Sequence, residues 1–305
     1  MENKIQIIGA DIGRGYVKGY TEHDKIQKEC LFKSVVGIGR SMDFKNYNDP
    51  IFLEVGKEEY FAGILAEKEG YTPTRNSRDS KTSPTVEKLL YALLSKLAIE
   101  ENVKIMLGVP NKNFKKSTLT EIVERYKDKK IKIKDKINGG YKDINIVDIQ
   151  IFREGDSALL WQVRNDKENT KPIGLVSIGF RSTELSYFDK GLAFNDKKSK
   201  TIDNLGNRTS LEFVQKELES NNIMKDLNEI DSNNDDYEEL KKIGYNNLQE
   251  RVLQEIEDIW INLDEMDIYI CGGTALKMDW EFDVLDDAQM ATAKGLYLVG
   301  TRIFK

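Results

Sequence analysis

Histidine occurs once and cysteine twice in these 305 residues, and that scarcity removes several chemistries at the outset. Cys30 and Cys271 stand alone, with no Cys-x-x-Cys pair and no metal-ligand spacing, so neither a zinc module nor a disulfide framework is expected. Isolated cysteines suit a reducing, cytoplasmic compartment. The one histidine, His23, sits in the polar run Thr21-Glu22-His23-Asp24 and reads as a turn residue. A histidine triad, a zinc site and a histidine general base are not expected either. Apolar runs are short. None approaches the roughly 20 residues of a membrane span, and the first ends at Asp11 without the shape of a signal peptide. There is no basic excess: 46 Lys and Arg against 52 Asp and Glu leave a net charge of −6, which argues against nucleic-acid binding as the main activity.

What is present is an alternation of strand-like and helix-like segments in a chain long enough for two domains. Residues 4–20 read as a hairpin around Gly13-Arg14-Gly15, and 51–55 and 59–62 as short strands. Residues 72–83, rich in Thr, Ser, Asn and Arg, read as an exposed loop. In 84–99, Val86, Leu89, Leu90, Leu93, Leu94 and Leu97 fall on one helical face, with Ser83 as cap and Pro84 at the first position. Residues 103–110 form a buried-type strand. The alternating run 129–134 pairs with 143–152 across Asn138-Gly139-Gly140, its lysines on one solvated face. The polar stretch 165–172 is the candidate domain boundary. Beyond it come a strand and turn at 173–185, a returning strand at 186–194 and a helix at 209–218. A polar, acidic excursion at 221–239, a long helix at 240–263, a strand at 266–271 and a final helix at 288–304 complete the chain. The pattern is α/β.

Chemistry concentrates in two strand–turn segments. The first, residues 5–18, runs from an apolar strand into Asp11, then Gly13-Arg14-Gly15, then Lys18. Glycines let backbone N–H groups approach a phosphate closely. Lys18 adds a point charge, and Asp11 is suited to a hydrated magnesium ion. Alone, this is also what an ordinary tight turn looks like. It has neither the Walker A nor the dinucleotide spacing, and a strand follows rather than a helix. The second segment, residues 173–185, repeats the plan with Ser177 where the first has Asp11. Glu154 opens a helix; it is either a carboxylate favoured by the helix dipole or a base for an attacking water.

Taken in order, the first hairpin, Glu154, the second hairpin, Gly272-Gly273-Thr274 and the small-residue helix with Ala288, Ala291, Ala293 and Gly295 resemble the actin/Hsp70/sugar-kinase superfamily. More narrowly they resemble the bacterial actin-like proteins of the ParM kind. The resemblance spans nearly the whole chain. It implies an actin-like (ribonuclease H-like) two-domain fold with nucleotide in the interdomain cleft. Domain I would comprise residues 1–166 plus 288–305, with a small insertion at about 40–66, and domain II residues 169–287. Asp11, Gly13, Arg14, Gly15 and Lys18 would form the first phosphate loop, with Asp11 holding Mg2+ through water. Ser177, Gly179, Arg181, Ser182 and Thr183 would form the second. Gly272, Gly273 and Thr274 would lie against the base and sugar, and Glu154 and Asp11 would be catalytic.

The implied activity is hydrolysis of ATP, or GTP, coupled to head-to-tail filaments that segregate plasmid DNA through a DNA-binding adaptor. Direct contact with nucleic acid or membrane is not implied. The chain departs from the family pattern at Ser177, where an Asp is usual, at Glu184, where a further Asp is common, and at Phe180 and Arg181 in a turn that is usually glycine-rich. Two alternatives follow: a nucleotide-stabilised filament that hydrolyses weakly or not at all, and a metabolic kinase of the same superfamily.

Overall fold

The computed structural model describes residues 4–44, 46–77, 80–165, 170–232 and 236–304. Two compact units divide the chain, one of Met1–Trp161 with Thr292–Lys305 and one of Gln162–Ala291. The core of the polar stretch read as a boundary, residues 166–169, lies outside the described residues.

In the first unit the strands are β1 (Ile5–Ile12), β2 (Tyr16–His23), β3 (Ile26–Lys33), β4 (Val35–Ile38), β5 (Ile51–Val55), β6 (Glu58–Ala62), β7 (Tyr71–Arg75), β8 (Asn102–Val109), β9 (Lys129–Asp135) and β10 (Tyr141–Arg153). They form one sheet in the order β3-β2-β1-β8-β10-β9-β5-β6-β4-β7. The helices are α1 (Ile64–Glu69), α2 (Pro84–Leu97), α3 (Lys116–Tyr126) and α4 (Glu154–Gln162). At the centre β1, β8 and β10 run parallel, and most of the residues they bury are apolar. Ile8, Ala10, Ile12, Ile105, Leu107 and Val109 face the leucine stripe of α2. That helix starts as its sequence dictates: the Ser83 hydroxyl accepts from the Val86 N–H and Pro84 occupies the first turn.

Two readings of this unit change. Residues 71–75 are not loop but the edge strand β7, paired with β4; its polar residues suit an edge with one side in water. His23 is not in the turn but is the last residue of β2, opposite Ile26, with Nε2 3.1 Å from Glu100 Oε1. The turn itself is Asp24-Lys25, both at positive φ, which is the backbone a two-residue hairpin requires. The strands read at 51–55 and 59–62 join the same sheet: β5 pairs with β9, and β6 with both β5 and β4. On β9 the solvated face carries the exposed Lys130 and Lys132, with Lys134 3.3 Å from Glu54, while Lys129 pairs with Glu87.

The second unit contains β11 (Ile173–Ile178), β12 (Ser182–Asp189), β13 (Ala193–Phe194), β14 (Lys200–Asp203), α5 (Asn207–Ser220), α6 (Leu227–Ser232), α7 (Glu238–Ile259), β15 (Asp267–Cys271) and β16 (Asp283–Val284). Its sheet runs β13-β12-β11-β15-β16, with β14 also on β12. Val176, Ile178, Leu185 and Ile270 pack on Leu248, Val252 and Ile256 of α7 and on Trp260. The acidic excursion carries a short apolar anchor, since Ile230 of α6 is buried against Leu211, Val214 and Leu218 of α5; residues 233–235 lie outside the described residues.

The chain then returns to the first unit as α8 (Ala291–Ile303), with Leu296 and Val299 packed on Met106 of β8. A Cβ on Gly295 would lie 1.7 Å from the carbonyl oxygen of Ser157, so the small residues of this helix let its backbone touch α4. Among the described residues, no helix is long and apolar enough to cross a membrane.

Candidate functional site

Parallel β1, β8 and β10 end together, at Ile12, Val109 and Arg153, and the ligand side of an open α/β sheet is at such carboxyl ends. There the first unit gathers four charged side chains. Asp11 is buried at the end of β1, opposite Lys18 on β2. Partners facing each other across an antiparallel ladder project to the same side, so the Lys18 ammonium reaches Asp11 Oδ2 at 2.8 Å. Glu154 follows β10 directly and opens α4, lying over Gly108, where a Cβ would come within 3.0 Å of its Cγ. The fourth group is Lys81, whose ammonium donates to Glu154 Oε1 at 3.2 Å and to the Ile12 carbonyl at 2.9 Å.

Burial raises the Glu154 carboxyl above its ordinary pKa; Lys81 opposes the rise, the Asp11 charge adds to it, and Lys18 opposes it again. A base moved toward neutrality is better matched to accepting a proton from water.

The turn from β1 to β2 is held from behind. The Gly13 N–H donates to the Tyr16 carbonyl at 3.1 Å. The Gly13 carbonyl accepts from the Ser34 hydroxyl at 2.7 Å and from Asn76 Nδ2 at 3.1 Å, and the Gly15 carbonyl accepts from the Ser34 N–H at 2.9 Å. Gly13 is not at positive φ; a Cβ there would sit 2.9 Å from the Tyr16 carbonyl oxygen, so crowding is what calls for glycine. Arg14 is half-buried at the turn.

The second unit repeats this hairpin. Ser177 stands opposite Glu184 and Ile178 opposite Thr183, and the Gly179 N–H donates to the Ser182 carbonyl at 3.0 Å. Its braces differ in kind. The N–H groups of Asn207 and Arg208, which open α5, donate to the Gly179 and Phe180 carbonyls at 3.1 and 2.8 Å. Thr274 Oγ1 donates to the Gly179 carbonyl at 3.0 Å. Thr183 is fully buried and its hydroxyl donates to the Leu205 carbonyl at 2.8 Å, so it ties the hairpin to the chain ahead of α5. Gly272 has φ +100° and its Cβ position lies 2.3 Å from the Ile178 carbonyl oxygen; only glycine fits. Gly273 packs beside Gln289. Arg181 and Ser182 are half-buried at the turn.

Each unit thus assembles its own share of the expected residues: Asp11, Gly13, Arg14, Gly15, Lys18 and Glu154 in the first, the residues of the second hairpin and Gly272-Gly273-Thr274 in the other. Lys81, Ser34 and Asn76 were not anticipated. Lys81 lies in a polar stretch two residues before a helix cap, where a lysine carries no signal; Ser34 reaches the turn because β3 pairs with β2, which sets Lys33 opposite Tyr16, and Asn76 because β7 pairs with β4 and its N–H donates to the Ser34 carbonyl.

Two sheets with this pair of hairpins define an actin-like α/β fold of two domains. Residues 9–155 match the family of actin-like proteins, N-terminal domain. The fold is similar to that of a 15-stranded ParM filament from Clostridium botulinum, at 20% identity and TM-score 0.85 over 98% of this chain and 100% of that one. It is also similar to an archaeal actin homolog in complex with ADP (16% identity, TM-score 0.79, 97% and 99% covered). A third similar structure is Bacillus thuringiensis ParM with ATP (12% identity, TM-score 0.69, 99% of both chains). No curated protein matches the chain by sequence. The chain has the fold of the actin-like proteins, shared with these ParM structures.

Proposed function

We propose that this chain is a nucleotide-dependent, polymerising actin-like ATPase, or GTPase, that forms head-to-tail filaments and moves plasmid DNA through a DNA-binding adaptor. The observation that carries the reading is the cluster of Asp11, Lys18, Lys81 and Glu154 at the carboxyl ends of β1, β8 and β10. Two similar structures are a complex with ADP and a ParM with ATP, and another is a filament.

In this reading the turns at residues 13–15 and 179–182 bind phosphate oxygens, and Lys18 supplies a further positive charge. Asp11 suits a magnesium ion: Oδ2 is held by Lys18, while Oδ1 is buried with no hydrogen-bond partner, an acceptor for a metal-bound water. Held through Asp11, such an ion would supply positive charge against the phosphate chain. Glu154 orients the attacking water and takes its proton at the carboxylate. Gly272, Gly273 and Thr274 border the base and sugar. A self-contact that does not close on itself gives a helical filament.

Pelleting and phosphate release, run together with ATP, GTP and their non-hydrolysable analogues, test the proposal. Release that accelerates with assembly, and falls sharply in Glu154→Ala, is the expected result. One observation favours a second reading, a filament stabilised by nucleotide without turnover: Ser177 leaves the first strand of the second hairpin without a carboxylate. Filaments that release no phosphate would establish it in place of the first. Phosphoryl transfer to a small acceptor without assembly would establish a metabolic kinase.

A further inference from the structure

Lys81 belongs to none of the sequence motifs, yet its ammonium joins two parts of the first unit's site. The side chain is 7% exposed, and a lysine with so little solvent is costly unless it is paired and hydrogen-bonded. Both conditions are met by the Glu154 carboxylate at 3.2 Å and the Ile12 carbonyl at 2.9 Å. Ile12 lies between Asp11 and Gly13, so one ammonium links Glu154 to the strand that carries the metal-facing carboxylate and opens the turn. The backbone of Lys81 is itself anchored, since its carbonyl accepts from the hydroxyl of Tyr126 at 2.8 Å. Tyr126 is fully buried at the end of α3.

We propose that Lys81 is a positioning residue for hydrolysis: its ammonium clamps the Glu154 carboxylate to the carboxyl end of β1, and Tyr126 holds the clamp in place. The inference rests on the ATPase reading above. Without Lys81, the Asp11 charge acts on Glu154 with Lys18 as the counter-charge that remains among the described residues. Two carboxylates so placed repel, and Glu154, the less buried of the two, turns away from the position in which it addresses water. The Arg153–Asp156 pair on the same segment, 2.7 Å from Nε, engages its own carboxylate and does not replace Lys81.

The test is a double-mutant cycle on the full chain, with single-turnover phosphate release from ATP and the Kd of a fluorescent ATP analogue as readouts. The variants are Lys81→Met, Glu154→Gln and the pair. Lys81→Met is expected to slow release about 10- to 100-fold with Kd changed less than about threefold, and to cost less than about threefold once Glu154 is glutamine, because the clamp then has nothing to position. Lys81→Arg is expected to recover most of the rate. Equal losses in both backgrounds, or a rise in Kd matching the loss of rate, overturn the proposal.

Should Lys81→Met fail to give a cooperative thermal melt, Tyr126→Phe enters the same cycle. It removes one hydroxyl, and a loss of about two- to fivefold that vanishes beside Glu154→Gln is expected; additivity there overturns the proposal equally. A wild-type chain that neither binds nor hydrolyses nucleotide refutes the ATPase reading itself. A chain that hydrolyses with additive variants refutes only the role of Lys81.

Discussion

The two hairpins share one backbone and hold different chemistry. Asp11 corresponds to Ser177, Gly13 to Gly179 and Lys18 to Glu184, in the same register and with the same turn bond. In the first, an acid on the leading strand faces a lysine on the returning strand. In the second, a hydroxyl faces an acid. The supports differ too: side chains of Ser34, Asn76 and Lys81 hold the first turn, whereas the second rests largely on backbone, the first N–H groups of α5 and the close approach of Gly272. Hydrogen bonds within a hairpin specify its shape and not its charge, so the same backbone carries an acid–lysine pair at one copy and a hydroxyl–acid pair at the other.

The comparison is broken most severely at Asp11. Asp11→Ser makes the first hairpin resemble the second and removes the buried carboxylate oxygen that has no hydrogen-bond partner, the acceptor the proposal assigns to a metal-bound water. Phosphate release is expected to fall about 100- to 1000-fold, the range for losing one preorganised electrostatic group, with a smaller change in nucleotide affinity measured without magnesium. An unchanged rate would mean that the first copy is not the metal-facing one.

Stability, rather than rate, is the larger casualty at the second hairpin. Gly272→Ala forces a side chain into a left-handed backbone and onto the Ile178 carbonyl, at a cost of about 3 kcal/mol or more from strain and displacement together. Chemical denaturation measures it; a loss under about 1 kcal/mol would show that this junction relaxes easily. Thr183→Val comes next. It keeps shape but leaves the Leu205 carbonyl without its donor, which costs about 1–2 kcal/mol. No stability change on that substitution would mean that water replaces the hydroxyl.

How much of this was legible in the sequence follows from what each residue's signal depends on. The leucine stripe of α2 with Ser83 and Pro84 is a local pattern, and so is the β9–β10 hairpin, whose Gly139 and Gly140 do take positive φ. That Asp11, Lys18 and Glu154 fall at one end of the first sheet follows from the order of the motifs that carry them. His23 was misplaced because a two-residue turn at Asp24-Lys25 lacks the usual glycine, and β7 because an edge strand needs no apolar face. Lys81 was illegible in principle. Its partners lie 69 and 73 residues away, and nothing local separates a buried lysine from a solvated one.

The smallest effect is the most informative about the second copy. Ser177 and Glu184 face the same side of the sheet, and Glu184 is buried, with Oε1 3.2 Å from the Thr201 hydroxyl. The pair therefore still contains one carboxylate, displaced by the width of a ladder rung. Ser177→Asp restores the first copy's acid but sets it opposite another, and like charges facing across a ladder destabilise by about 0.2–1 kcal/mol. If Glu184 already supplies the charge this hairpin needs, the magnesium concentration for half-maximal phosphate release shifts by less than about threefold, roughly 0.7 kcal/mol. A shift of about tenfold toward lower magnesium would show instead that Ser177 marks a lost acid, and that Glu184 serves only the packing of β12 on β14.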